Sequence, residues 1–393
     1  MGHSTSKSTT TKNTHIVVIG GSYAGRAAAR LLEKEATVTC IERREVLVHK
    51  MLVRSAVCDE WIEPALVSSS HMLSTGKLLH ADVSGVNLED RSITCRTSEG
   101  GEQVINYDYL IIASGAQSRS PMEPAFRKLE DGSHSAMKAH YSSSAGTIAK
   151  HKNILIVGGG PVGCELAGEI KAKHPDARVI IASSTDRLCD KLRTTHEGSD
   201  KIQKGLEKHG ITVKLGVEVP VDLDKFKDGF LEFSEPQSFA DGSISGVTLM
   251  ILAIGSKPNT QFLPQGLLTD RGEVKVNEFL QVNERVYAIG DCNDVKEPKL
   301  FVTAGTKKFM PLFFPTGQAD IAARNILAAE TGKPLSPYVP LALEKKQVVT
   351  IPLGPKDAVA VNAPKFFAKL KAKDYFYPAQ WKYNRETPPK VHK

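Results

Sequence analysis

The chain has 393 residues, 41% hydrophobic and 24% charged, with 31 glycines and 21 prolines. That is a globular composition, and it excludes collagen, coiled coil and global disorder. The net charge is +7, but residues 356–393 alone hold nine Lys/Arg against three Asp/Glu. The rest is close to neutral, which excludes a nucleic-acid footprint spread over the whole surface.

Residues 1–13, MGHSTSKSTTTKN, are rich in Ser, Thr and Lys and read as a flexible segment. His15–Ile19 is a continuous apolar strand of the kind a parallel sheet buries on both faces. A helix follows over Ala24–Lys34 and a second strand over Thr37–Ile41. Between strand and helix stands Gly20-Gly21-Ser22-Tyr23-Ala24-Gly25, where backbone amides and a positive helix end would meet a dinucleotide pyrophosphate. Ser22 takes the place of the second fingerprint glycine. Glu42, followed by Arg43, ends the next strand, where an acid would bind ribose hydroxyls.

Tyr109–Ile112 is a strand leading into Ala113-Ser114-Gly115. Residues 116–150, Ser-rich and containing proline, read as an inter-domain connection. The βαβ pattern then recurs as Asn153–Val157, Val162–Lys173 and Arg178–Ala182. Its turn, Gly158-Gly159-Gly160-Pro161-Val162-Gly163, is a complete fingerprint. Leu249–Ala253 with Ile254 and Gly255 repeats the Tyr109–Gly115 pattern.

The second unit ends its second strand on Ser183 and Ser184, with Arg187 close behind. No carboxylate stands there to repel a 2′-phosphate, so NADPH is expected to be tolerated beside NADH. Glu165 falls on the first helical turn, near where nicotinamide meets flavin. It would orient the nicotinamide amide or gate a proton, or serve only as an acid favoured by the helix dipole. Tyr287-Ala288-Ile289-Gly290-Asp291 decides which nucleotide goes where. A carboxylate at this place in two-dinucleotide flavoproteins receives the ribityl chain, and a helix over Gly317, Gln318, Ala319 and Asp320 to Asn325 would point its positive end at the flavin. FAD is thereby expected in the first unit and NAD(P)H in the second.

The expected fold is α/β, with two Rossmann-like dinucleotide-binding domains and a small C-terminal α+β domain. The FAD domain would take 14–118 and 256–335, the NAD(P)H domain 119–255, and the C-terminal domain 336–393. The six cysteines, Cys40, Cys58, Cys95, Cys164, Cys189 and Cys292, contain no C-x-x-C and no zinc-like spacing to histidine. Neither a metal site nor a redox relay on a local cysteine pair is expected, and the thiols read as reduced and cytosolic.

In this order GGSYAG…Glu42, ASG, GGGPVGCE, AIG and YAIGDC resemble the pyridine-nucleotide-disulfide oxidoreductase superfamily. Without C-x-x-C the resemblance narrows to the apoptosis-inducing-factor-like and type II NADH dehydrogenase branches. Val286–Lys299, Gly158–Asp176 and Asp374–Pro389 carry it along most of the chain. It implies non-covalent FAD, NAD(P)H as donor and a membrane quinone as acceptor, whose quinol traps radicals and protects lipids. Catalytic roles then fall on Glu165 and Gln318. It also implies N-terminal myristoylation, and Met1-Gly2-His3-Ser4-Thr5-Ser6 fits M-G-x-x-x-[ST] at Gly2. The basic, aromatic tail with Phe366, Phe367, Tyr375, Phe376, Tyr377 and Trp381 would add contact to the cytoplasmic face of a membrane, or pack in the small domain or a homodimer. Phe301–Gln318 is longer than the family's usual link, which leaves the acceptor open. A poorly turning-over NADH sensor and a soluble ferredoxin or monodehydroascorbate reductase stay open as alternatives.

Overall fold

The computed structural model describes residues 13–48, 53–97, 100–123, 129–192, 194–297, 317–340 and 349–361. In chain order these form β1 (His15–Ile19), α1 (Tyr23–Leu32), β2 (Thr37–Glu42), β3 (Val46–Val48), α2 (Ile62–Ala65) and β4 (Leu66–Ser68). Then come β5 (Lys77–Asn87), β6 (Ser92–Thr97), β7 (Glu102–Asn106), β8 (Tyr109–Ile112), β9 (Ala116–Ser118), α3 (His134–Ala149) and β10 (Asn153–Val157). After these stand α4 (Pro161–Lys173), β11 (Arg178–Ser183), α5 (His196–Lys208), β12 (Thr212–Leu215), β13 (Phe230–Phe239) and β14 (Ile244–Leu252). The last are β15 (Ser256–Pro258), β16 (Gln281–Asn283), β17 (Val286–Ala288), α6 (Gln318–Glu330), β18 (Val349–Pro352) and β19 (Ala358–Val361). Among the described residues no helix is long and apolar enough to cross a membrane.

These elements group into two compact units. The first takes the described parts of 13–45, 68–116 and 257–340 and holds an eight-stranded sheet in the order β16-β17-β8-β1-β2-β5-β6-β7. β1 pairs in parallel with β2 on one side and β8 on the other. The order therefore reverses at β1, and the crevice this creates lies outside the carboxyl ends of the strands, where such sheets bind ligands. Ile16, Val17 and Val18 are fully buried, which is why β1 reads as an unbroken apolar run. The alanines of α1, Ala27, Ala28 and Ala29, share one core with Ala319, Ala322 and Ala323 of α6.

The second unit takes the described parts of 46–67, 117–256 and 349–361. Its sheet, β12-β11-β10-β14-β13, repeats the plan, with β10 parallel to both β11 and β14 and the reversal at β10. The fold is thus the expected pair of Rossmann-like units.

Three boundaries differ from those read in the sequence. Residues 46–67, expected in the FAD domain, join the second unit, because Val46, Val53, Ala56 and Ile62 share a core with Met137, Tyr141, Leu166 and Ile170. The Ser-rich stretch expected as a connection contains α3. Its buried Met137, Tyr141, Ala145 and Ile148 recur at helical spacing and sink one face together with Ser144, while Ser135, Ser142 and Ser143 face outward. The hairpin β18–β19, expected in a separate C-terminal domain, packs on the second unit's helices through glycine notches. A Cβ on Gly168 would stand 2.4 Å from the Leu353 carbonyl carbon, and one on Gly198 2.4 Å from Val361 Cγ1.

Candidate nucleotide-binding sites

In the first unit Gly20 has φ +98°, and a Cβ there would stand 2.3 Å from the Ala113 carbonyl oxygen. A Cβ on Gly25 would stand 1.8 Å from the Gly20 carbonyl oxygen. Only glycine lets this loop turn beneath the end of β8 and α1 close onto it. Ser22 has φ −76° and ψ −155°, extended backbone that any residue adopts. The matching Gly160 has φ −77°, and a Cβ there would meet nothing within 4 Å. At this fingerprint position the backbone does not require glycine; only the close approach of a ligand would.

Glu42 ends β2 as expected and is buried. Its carboxylate accepts from the Gly21 N–H at 2.7 Å and from Arg44 Nε at 2.9 Å and the Arg44 N–H at 3.1 Å. Burial alone would push its pKa up, but the Arg44 guanidinium and these amide donors outweigh burial and hold it below the ordinary carboxylate value. Arg44, which the sequence did not mark, thus keeps Glu42 charged. Arg43 pairs instead with Asp82 at 3.1 Å. Ala113 is buried, Gly115 has φ +69°, and the Asn259 side chain donates to the Ser114 carbonyl oxygen at 3.1 Å. The Ser114 hydroxyl is buried without a hydrogen-bond partner among the described residues, the kind of atom that a bound group satisfies.

Gly290 has φ +79°, and its neighbour Asp291 is exposed. The Gln318 side chain, expected to act in catalysis, is fully buried and engaged elsewhere. Its Oε1 accepts from the Gly290 N–H at 2.7 Å and from Asn293 Nδ2 at 2.8 Å, and its Nε2 donates to Glu297 at 2.6 Å. Tyr338 donates to the same Glu297 carboxylate at 2.8 Å. Gln318 therefore fastens the Gly290–Asp291 turn to the start of α6; no side-chain donor or acceptor of it is aimed at a ligand. Asn293, Glu297 and Tyr338 carry no motif, so nothing in the sequence marked them.

The second unit repeats the cradle. Gly158 has φ +124°, a Cβ there would stand 2.5 Å from the Ala253 carbonyl oxygen, and one on Gly163 2.1 Å from the Gly158 carbonyl oxygen. Pro161 takes the first helical position of α4, where its missing N–H costs nothing, and Val162 and Gly163 continue its first turn. Gly255 has φ +57°. Glu165 is half-buried on α4, and its carboxyl is pushed up to about 8, chiefly by burial and secondly by the Glu169 carboxylate. Glu169 is itself held by Arg54 at 3.1 Å in a buried pair, with Arg54 stacked over Trp61 at 4.6 Å.

At the end of β11, Ser183 is buried and its hydroxyl meets Thr185 Oγ1 at 2.9 Å, while Ser184 is exposed. A carboxylate is nearby after all, since Arg187 pairs with Asp190 at 2.8 Å and with Asp186 at 3.3 Å. All six cysteines are buried and free. Cys164 and Cys189, far apart in sequence, do meet behind the glycine loop. Hydrogen bonding to Cys189, then burial, raises the Cys164 pKa, so this thiol keeps its proton and is a packing contact rather than a nucleophile. Among the described residues no cluster of His, Cys, Asp and Glu is arranged to hold a metal. Gly2, the Phe301–Thr316 part of the long link and the basic tail lie outside the described residues.

Among the described helices of eight or more residues, capping separates these loops from the others. The starts of α3 and α5 are closed by side chains, Ser133 accepting from the Ala136 N–H at 3.2 Å and Thr195 from the Gly198 N–H at 3.0 Å. The starts of α1, α4 and α6, at Ser22, Gly160 and Gly317, have no side-chain cap. Their first-turn N–H groups and positive dipole ends are left for an anion.

A family model described as pyridine nucleotide-disulphide oxidoreductase matches residues 14–307. The chain belongs to this family. It is an NAD(P)H-dependent flavoprotein oxidoreductase, with FAD and NAD(P)H as its cofactors, and the glycine cradles, uncapped helices and buried Ser114 hydroxyl fit such groups. Among curated relatives it is similar to apoptosis-inducing factor homolog B of Dictyostelium discoideum, 28% identical over 383 residues, covering 90% of this chain and 91% of that one. It is also similar to human ferroptosis suppressor protein 1, 26% identical over 386 residues, covering 95% and 97%. Among solved structures, NDH2 of Plasmodium falciparum in complex with NADH has the same fold, with a TM-score of 0.59 at 16% identity, covering 94% of this chain and 93% of that one.

Proposed function

We propose that the chain is an NAD(P)H:quinone oxidoreductase that holds FAD on the Gly20 unit and NAD(P)H on the Gly158 unit and works at a membrane surface. The observation that carries the placement is the capping pattern. Among the described helices of eight or more residues, the first unit has two uncapped starts, α1 and α6, whereas the second has one, α4. A flavin dinucleotide needs a place for its pyrophosphate and another for the charge on its reduced ring, and only the first unit offers both.

Bound FAD supplies an acceptor for two electrons that can return them singly or in pairs. The chain's residues do the rest. Glu42, kept charged by Arg44, would take ribose hydroxyls, Asp291 the ribityl chain, and the N–H groups of Gln318 and Ala319 the pyrimidine edge. Glu165, with its pKa near 8, is mostly protonated at neutral pH. A neutral carboxyl both donates and accepts a hydrogen bond, which matches the carbonyl and NH2 of a nicotinamide amide.

The resemblance to the apoptosis-inducing-factor-like and type II NADH dehydrogenase branches supports a quinone acceptor, as does the lack of any exposed thiol to serve a disulfide. The radical-trapping quinol would then protect lipids, in line with the name ferroptosis suppressor protein 1 among the relatives. Quinones with long isoprenoid chains stay in lipid, and one acyl chain at Gly2 binds a membrane only marginally, so the basic tail supplies the second signal.

Purified protein loaded with FAD should bleach on NADPH addition and recover its yellow colour with a short-chain quinone, cycling repeatedly. A single reduction followed by slow reoxidation in quinone would defeat the reading. Gly2→Ala should release the protein from membranes while turnover with a water-soluble quinone is kept.

A further inference from the structure

The loop after β11 folds back over the glycine loop of its own unit and is held at both ends. The Cys189 N–H donates to the Gly159 carbonyl oxygen at 2.7 Å, and the Leu188 N–H donates to Ser199 Oγ at 2.8 Å. At the other end the Gly216 N–H donates to the Thr185 carbonyl oxygen at 2.9 Å, and Thr185 Oγ1 donates to the Arg187 carbonyl oxygen at 2.8 Å. The strand end itself packs closely against the glycine loop, since a Cβ on Gly159 would stand 2.7 Å from Ser183 Oγ. The loop after this strand end carries Arg187, half-buried, and Arg187 arrives paired. Its Nη2 lies 2.8 Å from Asp190 and its Nε 3.3 Å from Asp186, while His196 stands 3.9 Å from the other Asp186 oxygen.

We propose that Asp186 and Asp190 are specificity-determining residues that compete with the 2′-phosphate of NADPH for Arg187. This rests on the reading that the Gly158 unit holds NAD(P)H. An arginine fork binds a phosphate through two parallel N–H···O bonds, but here one arm is already given to Asp190. A 2′-phosphate, with a charge of about −2, must displace that carboxylate and then sit beside two like charges. A 2′-hydroxyl displaces nothing and can itself donate to a carboxylate. Arg187 is 33% exposed, Asp190 36% and Asp186 70%, so both pairs are weak enough for a phosphate to displace. The chain therefore accepts both nucleotides through an internal ion pair that either ligand can share, and removing a carboxylate tips the balance towards NADPH.

The test uses 5′-AMP and adenosine 2′,5′-bisphosphate, which differ only in the 2′-phosphate, and reads their dissociation constants by calorimetry on the FAD-loaded protein without turnover. The preference for the bisphosphate should rise about fivefold in Asp190→Asn and in Asp186→Asn, and further in the double variant. It should fall about tenfold in Arg187→Gln. If both ligands bind and the preference is unmoved in the two Asn variants, competition is overturned while the site assignment stands. If neither ligand binds the wild-type protein, the assignment of the Gly158 unit falls, and the inference with it.

Discussion

Replacing Gly25 by alanine sets two physical effects of opposite sign against each other. Gly25 lies inside α1, and a glycine in a helix costs roughly 1 kcal/mol relative to alanine. Propensity alone therefore predicts a more stable protein. Against this, the added Cβ would stand 1.8 Å from the Gly20 carbonyl oxygen and 3.1 Å from Ala113 Cβ. Unbonded carbon contacts settle near 3.5 Å, so α1 would have to retreat by roughly 1.5 Å. It cannot do so easily, because Ala27, Ala28, Ala29 and Leu32 are buried along its length and the obstructing atom is backbone. Overpacking of this kind costs about 3 kcal/mol where no side chain can yield, which leaves a net loss of about 2 kcal/mol. A melt should then show Tm lower by roughly 4–8 °C, and the protein should lose FAD on gel filtration. Gly146→Ala is the reference, since Gly146 is an exposed residue in α3 where a Cβ meets nothing within 4 Å. There propensity acts alone, and a gain of up to about 1 kcal/mol is expected. If Gly25→Ala raised Tm as Gly146→Ala does and kept its flavin, the close approach of α1 to the Gly20 loop would be refuted.

Between its ordinary value of 4.5 and about 8, folded Glu165 holds a proton that the unfolded chain has lost. Its contribution to stability therefore falls as pH rises through that window and levels off above it. Glu165→Gln should flatten the profile of denaturant melts from pH 5 to 9, be relatively more stable at the alkaline end, and remove any change in the NADPH reduction rate centred near pH 8. Gln318→Leu strands the Gly290 N–H and weakens the hold on Asn293 and Glu297, at about 1–3 kcal/mol for a buried orphan. The FAD dissociation constant should rise by tenfold or more while 5′-AMP binding to the second unit is unchanged.

How far the sequence could be read depended on whether a constraint was local. β1, α1, β2 and their counterparts β10, α4 and β11 were legible because strand burial on both faces writes a continuous apolar run and the turn writes its glycines in a fixed spacing. The reasons for Gly20, Gly25, Gly158 and Gly163 are contacts within one supersecondary unit, so the motif and its cause travel together. α3 was missed because its one buried face rests on four apolar residues among serines and small residues, and composition outvoted periodicity. The excursion over residues 46–67 was misassigned because membership of a core is decided by side chains that return from far along the chain.

The same limit explains the polar residues. Glu42 was found from its distance to Gly20, but Arg44, which keeps it charged, has no spacing rule. Gln318 was picked out for its place at the start of α6, and its side chain proved to be committed to Gly290, Asn293 and Glu297, partners no pattern links to it. At the end of β11 the motif rule looks for one acid at one position, and with Ser183 there it reports none. The chain carries its acids three and seven residues further on, where a folded-back loop brings Asp186 and Asp190 to the arginine. Spacing rules encode the strand end because its place is fixed by the sheet. A loop position is fixed only by hydrogen bonds such as Cys189 to Gly159, and nucleotide preference is therefore the property of this site least readable from sequence.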